Sequence, residues 1–103
     1  MIEELINNEL VNANKKFPLF ASWHEAYAVI LEEAQEAQEE VSIMEELEVE
    51  CLWCNIRSKK ASEADRLKSI EAIRGYAVRG IEELIQVAAM CDKAMISLGE
   101  EKK

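Results

Sequence analysis

With 103 residues, half of them hydrophobic and 32% charged, but only three glycines and one proline, the chain has too little turn chemistry for an all-β fold and too much apolar content for disorder. A net charge of -9 excludes docking on nucleic acid or an anionic membrane surface, which need Lys and Arg, and favours bound cations or substrates carried by cations. A single all-α domain spanning residues 1–103 is expected.

Ile2, Leu5, Ile6, Leu10 and Ala13 recur at helical spacing, so a short first helix is predicted over residues 2–14, closed by the basic pair Lys15-Lys16. Phe17-Pro18-Leu19-Phe20 follows as a connector, because Pro18 disfavours a helical conformation at Phe17 and both aromatic rings require burial. Ser22 and Glu25 have the spacing of a capping box, which starts a second helix at Trp23. From there Trp23, Tyr27, Ile30, Ala34, Ala37, Val41 and Met44 alternate in steps of four and three, the pattern of a helix packed lengthwise on another.

The pattern blurs after about residue 48, and residues 57–61 read as a turn with Ser62 and Asp65 as the next capping pair. A last long helix is predicted from Glu63 to Leu98, with Leu67, Ile70, Ala77, Ile81, Leu84, Ala88, Cys91, Met95 and Leu98 on its packing face. Gly75 and Gly80 each cost about 1 kcal/mol relative to Ala inside a helix, which allows a kink near Tyr76 or a close helix contact there. Gly99 to Lys103 is expected to supply a glycine stop and a frayed tail. The architecture expected is a helical bundle built on a long antiparallel hairpin with a short N-terminal helix. Such a hairpin leaves apolar surface uncovered, so a homo-oligomer, dimer or tetramer, is expected.

Three cysteines make no even disulfide set, no basic start leads into an apolar stretch, and no apolar run approaches the ~20 residues of a membrane span. A cytoplasmic location is the expectation. Cys51 and Cys54 form a lone CxxC, and only Cys91 and His24 remain to complete a zinc site, so cysteines buried as small hydrophobes are the simpler reading. His24 falls in the first turn of the second helix as a surface residue. Trp23, Tyr27, Trp53 and Tyr76 are available to stack on a base, although aromatics at helical spacing usually serve a core.

Between Phe17 and Ile56 stand ten glutamates and no Lys or Arg. Like charges three or four apart destabilise a helix by a few tenths of a kcal/mol each, so Glu32, Glu33, Glu36, Glu39 and Glu40 need an external counter-charge. Glu33, Glu36 and Glu40 border the apolar stripe. A turn near Lys59 pairs the two long helices so that Glu33 and Glu36 meet Glu82, Glu83 and Gln86, whereas Arg66, Lys68 and Arg74 fall level with the acids of residues 45–50. Carboxylates converging from two helices without a basic neighbour make a hard oxygen site suited to Mg²⁺ or Mn²⁺; a plain solvated acidic face is the alternative.

The segments Glu33-Ala34-Gln35-Glu36 and Glu83-Leu84-Ile85-Gln86 resemble the ExxE and ExxD motifs of the MazG-like all-α nucleoside triphosphate pyrophosphohydrolases, relatives of the dimeric dUTPases and phosphoribosyl-ATP pyrophosphohydrolase. The resemblance covers roughly residues 22–95. It implies Mg²⁺ held by acidic side chains, a nucleotide substrate, and hydrolysis between the α and β phosphates to give a monophosphate and pyrophosphate. Carried over by position, Glu33, Glu36 and Glu83 are the implied catalytic metal ligands. Gln86 stands where the family has aspartate, and its amide oxygen can coordinate an ion but brings no charge. A non-catalytic helical interaction or regulatory protein, binding a partner through the acidic face, is the rival expectation.

Overall fold

The computed structural model describes residues 1–99 and is helical almost throughout: α1 (Ile2–Lys16), α2 (Trp23–Ile43), a π-helical turn (Met44–Glu48), α3 (Val49–Arg57), α4 (Glu63–Ala94) and a second π-helical turn (Met95–Gly99). No helix among the described residues is long and apolar enough to cross a membrane. Two compact units divide the chain, Met1–Glu36 with Glu82–Lys103 and Ala37–Ile81, and the long helices α2 and α4 contribute to both.

Both predicted capping boxes form. The Glu25 amide donates to Ser22 Oγ at 3.1 Å, while the Glu25 carboxylate accepts from the Ala21 amide at 3.1 Å. At the start of α4 the exchange is reciprocal, with the Asp65 amide donating to Ser62 Oγ (3.2 Å) and the Ser62 amide to Asp65 Oδ2 (2.9 Å). These bonds, from the backbone first and then the hydroxyl, hold the Asp65 carboxyl below its ordinary value of 3.8. α1 ends where expected, at an extended Phe17 (φ -133°, ψ 146°) set by Pro18.

In the first unit the core gathers Leu10 of α1, Phe20 of the connector, Ala26 of α2, and Ala89, Met90, Ala94 and Leu98 of the last helical stretch, with Ile6, Ala13, Val29 and Ile30 packed around it. Small residues allow this convergence, Ala26 and Ala89 being 2% and 0% exposed. Only half of the expected burial of the connector occurs. Phe20 is buried, but Phe17 remains 64% exposed.

In the second unit the Asn55 amide of α3 donates to Ser69 Oγ (3.0 Å) and to the Asp65 carbonyl (3.4 Å), and Arg66 Nε donates to the Asn55 carbonyl at 3.3 Å. Arg66 therefore answers Glu63 of its own helix rather than the acids of residues 45–50. Lys68 does share a shallow hollow with Glu48. Cys51 and Cys54 are exposed free thiols.

α4 runs unbroken through Gly75 and Gly80, neither of which has positive φ. Gly80 marks a close approach: a Cβ built there lies 3.7 Å from Val41 Cγ2 of α2. The blur after residue 48 also has a structural cause. The wide turn Met44–Glu48 sits between helical residues (Ile43 φ -62°, ψ -44°; Val49 φ -67°, ψ -38°) and inserts an extra residue, which shifts the phase of every later side chain. Gly99 closes the second π turn rather than making a left-handed stop, and residues 100–103 of the expected frayed tail lie outside the described residues.

The faces of the long helices are rotated from those predicted. On α4 the buried residues include Ser69, Gly80, Ala89, Met90, Lys93 and Ala94, while Leu67, Ile70, Ile81, Leu84 and Met95 of the predicted face are 50–61% exposed. The offset is about one residue, roughly 100° around the axis. Along α2 and into the turn after it, the predicted face is only partly turned inward: Ala37 is buried and Ile30 and Met44 half-buried as expected, but Trp23, Tyr27, Ala34 and Val41 are exposed, while Ala26 is buried and Glu33 and Glu40 half-buried.

Candidate functional site

All three acids singled out by the sequence lie in the first unit. Glu33 and Glu36 stand one turn apart near the middle of α2, Glu83 stands on α4, and each offers a carboxylate oxygen within 4.8 Å of the other two. Antiparallel pairing produces this convergence. Within this unit, position 36 of α2 meets position 83 of α4.

Glu33 sits in unfavourable surroundings for a carboxylate. It is half-buried, and one carboxylate oxygen, Oε2, is sealed from solvent without a hydrogen-bond partner. Burial first, and then the Glu36, Glu32 and Glu9 carboxylates, push its pKa above the ordinary 4.5. Buried carboxylate oxygens are normally hydrogen-bonded, and a group that is not marks a missing positive partner as readily as a strained one.

The donor set fits a divalent cation. Mg²⁺ takes oxygen ligands at about 2.0–2.1 Å, so two ligands on one ion lie about 3–4 Å apart, a modest contraction from the spacing seen. Charge points the same way for Glu33, whose carboxyl is raised by burial and by the neighbouring Glu36, Glu32 and Glu9 carboxylates. Gln86, one turn beyond Glu83, is half-buried and lines the cleft that also contains Glu33.

That cleft has a volume of about 590 Å³, within the range of small-molecule sites. α1 supplies Glu9, Asn12, Ala13 and Lys16 to its wall, the connector Phe17, Pro18 and Phe20, α2 Glu25, Val29, Glu32 and Glu33, and α4 Gln86, Met90 and Lys93. The connector is fastened in place by the Phe20 amide, which donates to Ser97 Oγ at 3.0 Å. That hydroxyl in turn donates to the Lys93 carbonyl at 2.7 Å.

Several wall residues escaped the sequence reading. The candidates for stacking, Trp23, Tyr27, Trp53 and Tyr76, do not line the cleft, whose aromatic rings are instead Phe17 and Phe20. Tyr76 stacks under the Arg79 guanidinium at 4.3 Å and Trp53 under Arg57 at 5.3 Å. Contributions from α1 depend on tertiary contact, although Glu9, Asn12, Ala13 and Lys16 do form a line at helical spacing beside the buried Leu10. His24 is exposed in the first turn of α2, as expected.

Comparison with protein-family models, curated proteins and solved structures gives no match for this chain. The candidate site therefore stands on its geometry.

Proposed function

We propose that the chain is a MazG-like, Mg²⁺- or Mn²⁺-dependent nucleotide pyrophosphohydrolase, converting a nucleoside triphosphate to a monophosphate and pyrophosphate. The observation carrying this reading is the adjacency of the three-carboxylate cluster to an open cleft, with Glu33 belonging to both. Glu33, Glu36 and Glu83 hold the ion, and the Gln86 amide offers a neutral oxygen beside them. The ion supplies shielding of phosphate charge and a lowered pKa for bound water.

Everything else falls to the chain. Phe17 presents an exposed ring at the cleft for an aromatic base, Asn12 and Gln86 offer amide donors and acceptors, and a glutamate of the wall takes the proton from the attacking water.

The test is pyrophosphate release from a panel of nucleoside triphosphates with Mg²⁺ or Mn²⁺. Glu36→Gln is expected to lower kcat by on the order of 100-fold, the effect of weakening electrostatic stabilisation at the reacting phosphates. No release from any nucleotide, together with no ion-dependent thermal shift, removes the enzyme and leaves the acidic face as a binding surface.

We further infer that the exposed side of α4 in the second unit receives a second copy of the chain. Leu67, Ile70, Val78 and Ile81 lie exposed along one stripe, with Glu71 and Arg74 between them. Antiparallel pairing about an axis between positions 72 and 73 sets Leu67 against Val78 and brings each copy's Glu71 level with the other's Arg74. Opposite charges thus meet on both sides of the axis, in the middle of an apolar strip. Sedimentation equilibrium should give about twice the 11.7 kDa chain mass, and Leu67→Lys should return the monomer; a wild-type monomer at micromolar concentration would refute the pairing.

A further inference from the structure

Lys93 is a largely buried lysine whose ammonium still opens on a cleft full of acids, and it pairs with none of them. Its side chain belongs to a residue only 3% exposed, yet it lines the cleft wall. Its ammonium rests on the face of Phe20, 4.9 Å from the ring centroid. Among the described residues no carboxylate lies within 4.0 Å of Nζ and no hydrogen bond from the ammonium is present, although Glu9, Glu25, Glu32 and Glu33 share the same wall.

Lysine rarely has so little of its side chain exposed without a counter-charge, because even partial desolvation of an ammonium is costly. The Phe20 face offsets part of that cost, and it does so with a ring fixed by the Phe20–Ser97–Lys93 backbone bonds. What the ring cannot supply is the negative partner. A chain with a net charge of -9 has no shortage of carboxylates, so the unpaired ammonium is a specific arrangement rather than a consequence of composition.

We propose that Lys93 is an anion-binding residue that receives a phosphate-type oxyanion of a polyanionic ligand within the cleft. The proposal rests on the reading of Glu33, Glu36 and Glu83 as an ion site, since the cleft's own carboxylates repel an anion until a divalent cation neutralises them. The ligand then spans two positive poles, the ion at the acidic cluster and the ammonium on Phe20. Lys16, at the end of α1, also lines the cleft and adds charge there. A ligand with one isolated charge satisfies one pole only, which selects for di- and triphosphate chemistry over monophosphate.

Inorganic tripolyphosphate is the probe, titrated calorimetrically into the full chain with and without Mg²⁺, while Mn²⁺ binding is followed separately by electron paramagnetic resonance. Wild type should bind tripolyphosphate more tightly with Mg²⁺ than without it, and more tightly than orthophosphate. Lys93→Gln should weaken tripolyphosphate by about 10- to 100-fold, the loss of one or two charge-assisted hydrogen bonds, with Mn²⁺ affinity unchanged and Lys93→Arg restoring most of the affinity. Because a buried substitution can impair folding, a second measurement uses wild type alone: tripolyphosphate should shift the Lys93 side-chain NMR signals at saturation. Equal affinity in wild type and Lys93→Gln, an undisturbed Lys93 signal, or no tripolyphosphate binding at all overturns the proposal. Absence of Mn²⁺ binding with Lys93-dependent tripolyphosphate binding intact refutes the ion site and leaves Lys93 as the anion receptor.

Discussion

Glu33→Gln is expected to lower Mn²⁺ affinity by on the order of 100-fold, at or beyond the upper end of what disturbing a ligand's supporting shell does, because it removes a charged ligand itself. The same substitution should make the ion-free protein more stable at neutral pH. Glu33 is held above 4.5 by burial and by Glu36, Glu32 and Glu9, so the folded state binds its proton more tightly than the unfolded chain does. The stability Glu33 contributes is then fully present below about pH 4.5 and is lost as pH rises through its raised folded value. Glutamine has no such proton to lose. Thermal denaturation in EDTA across a pH series should therefore show wild type falling relative to Glu33→Gln above pH 4.5, and Mg²⁺ should reverse the order by taking the proton's place. Asp65 acts in a different window, because its carboxyl is held below 3.8 by Ser62 and its contribution is lost only as pH falls through that lower value. Equal Mn²⁺ affinity in the two proteins would dismiss Glu33 as a ligand.

That a single carboxylate carries so much of the expectation reflects what the sequence makes legible. The two capping pairs, Ser22–Glu25 and Ser62–Asp65, are local signals, and each forms the bonds expected of it. Together they fix where α2 and α4 begin. A turn near Lys59 then sets the pairing register closely enough to bring Glu33 and Glu36 to Glu83. Helix existence and height along the hairpin were thus readable from local chemistry and arithmetic.

Rotation about the helix axes was not readable. Apolar periodicity selects the most hydrophobic face, and on α4 that face is Leu67, Ile70, Ile81, Leu84 and Met95, all exposed. The face turned inward instead carries Ser69, Gly80, Ala89 and Lys93, where small side chains permit close approach and polar ones find partners such as Asn55 and Phe20. Apolar residues on more than one side of the helix defeat a reading that assumes a single packing face. Lys93 illustrates the cost. From the sequence it reads only as a cation available to meet a phosphate, and tertiary structure is needed to reveal the Phe20 ring beneath it.

The departure at Gln86 yields the second large expected effect. Gln86→Asp places a fourth carboxylate in the cleft wall, one turn from Glu83 and alongside Glu33. Without an ion it adds a like charge beside Glu33, whose carboxyl is already raised by neighbouring carboxylates, so that carboxyl should rise further and the melting temperature in EDTA should fall. With Mg²⁺ or Mn²⁺ present, the added charge becomes a ligand or a close neighbour of the ion. Affinity should then increase about tenfold or more, the scale of one further Coulomb interaction at a partly solvated site. Opposite signs with and without the ion distinguish a coordinating position from a merely crowded one, since packing damage lowers stability in both conditions. Should Mn²⁺ affinity stay unchanged while tripolyphosphate binding weakens, Gln86 faces the anion rather than the ion. A neutral amide at that position then has a physical purpose: an aspartate there repels the oxyanion that Lys93 receives.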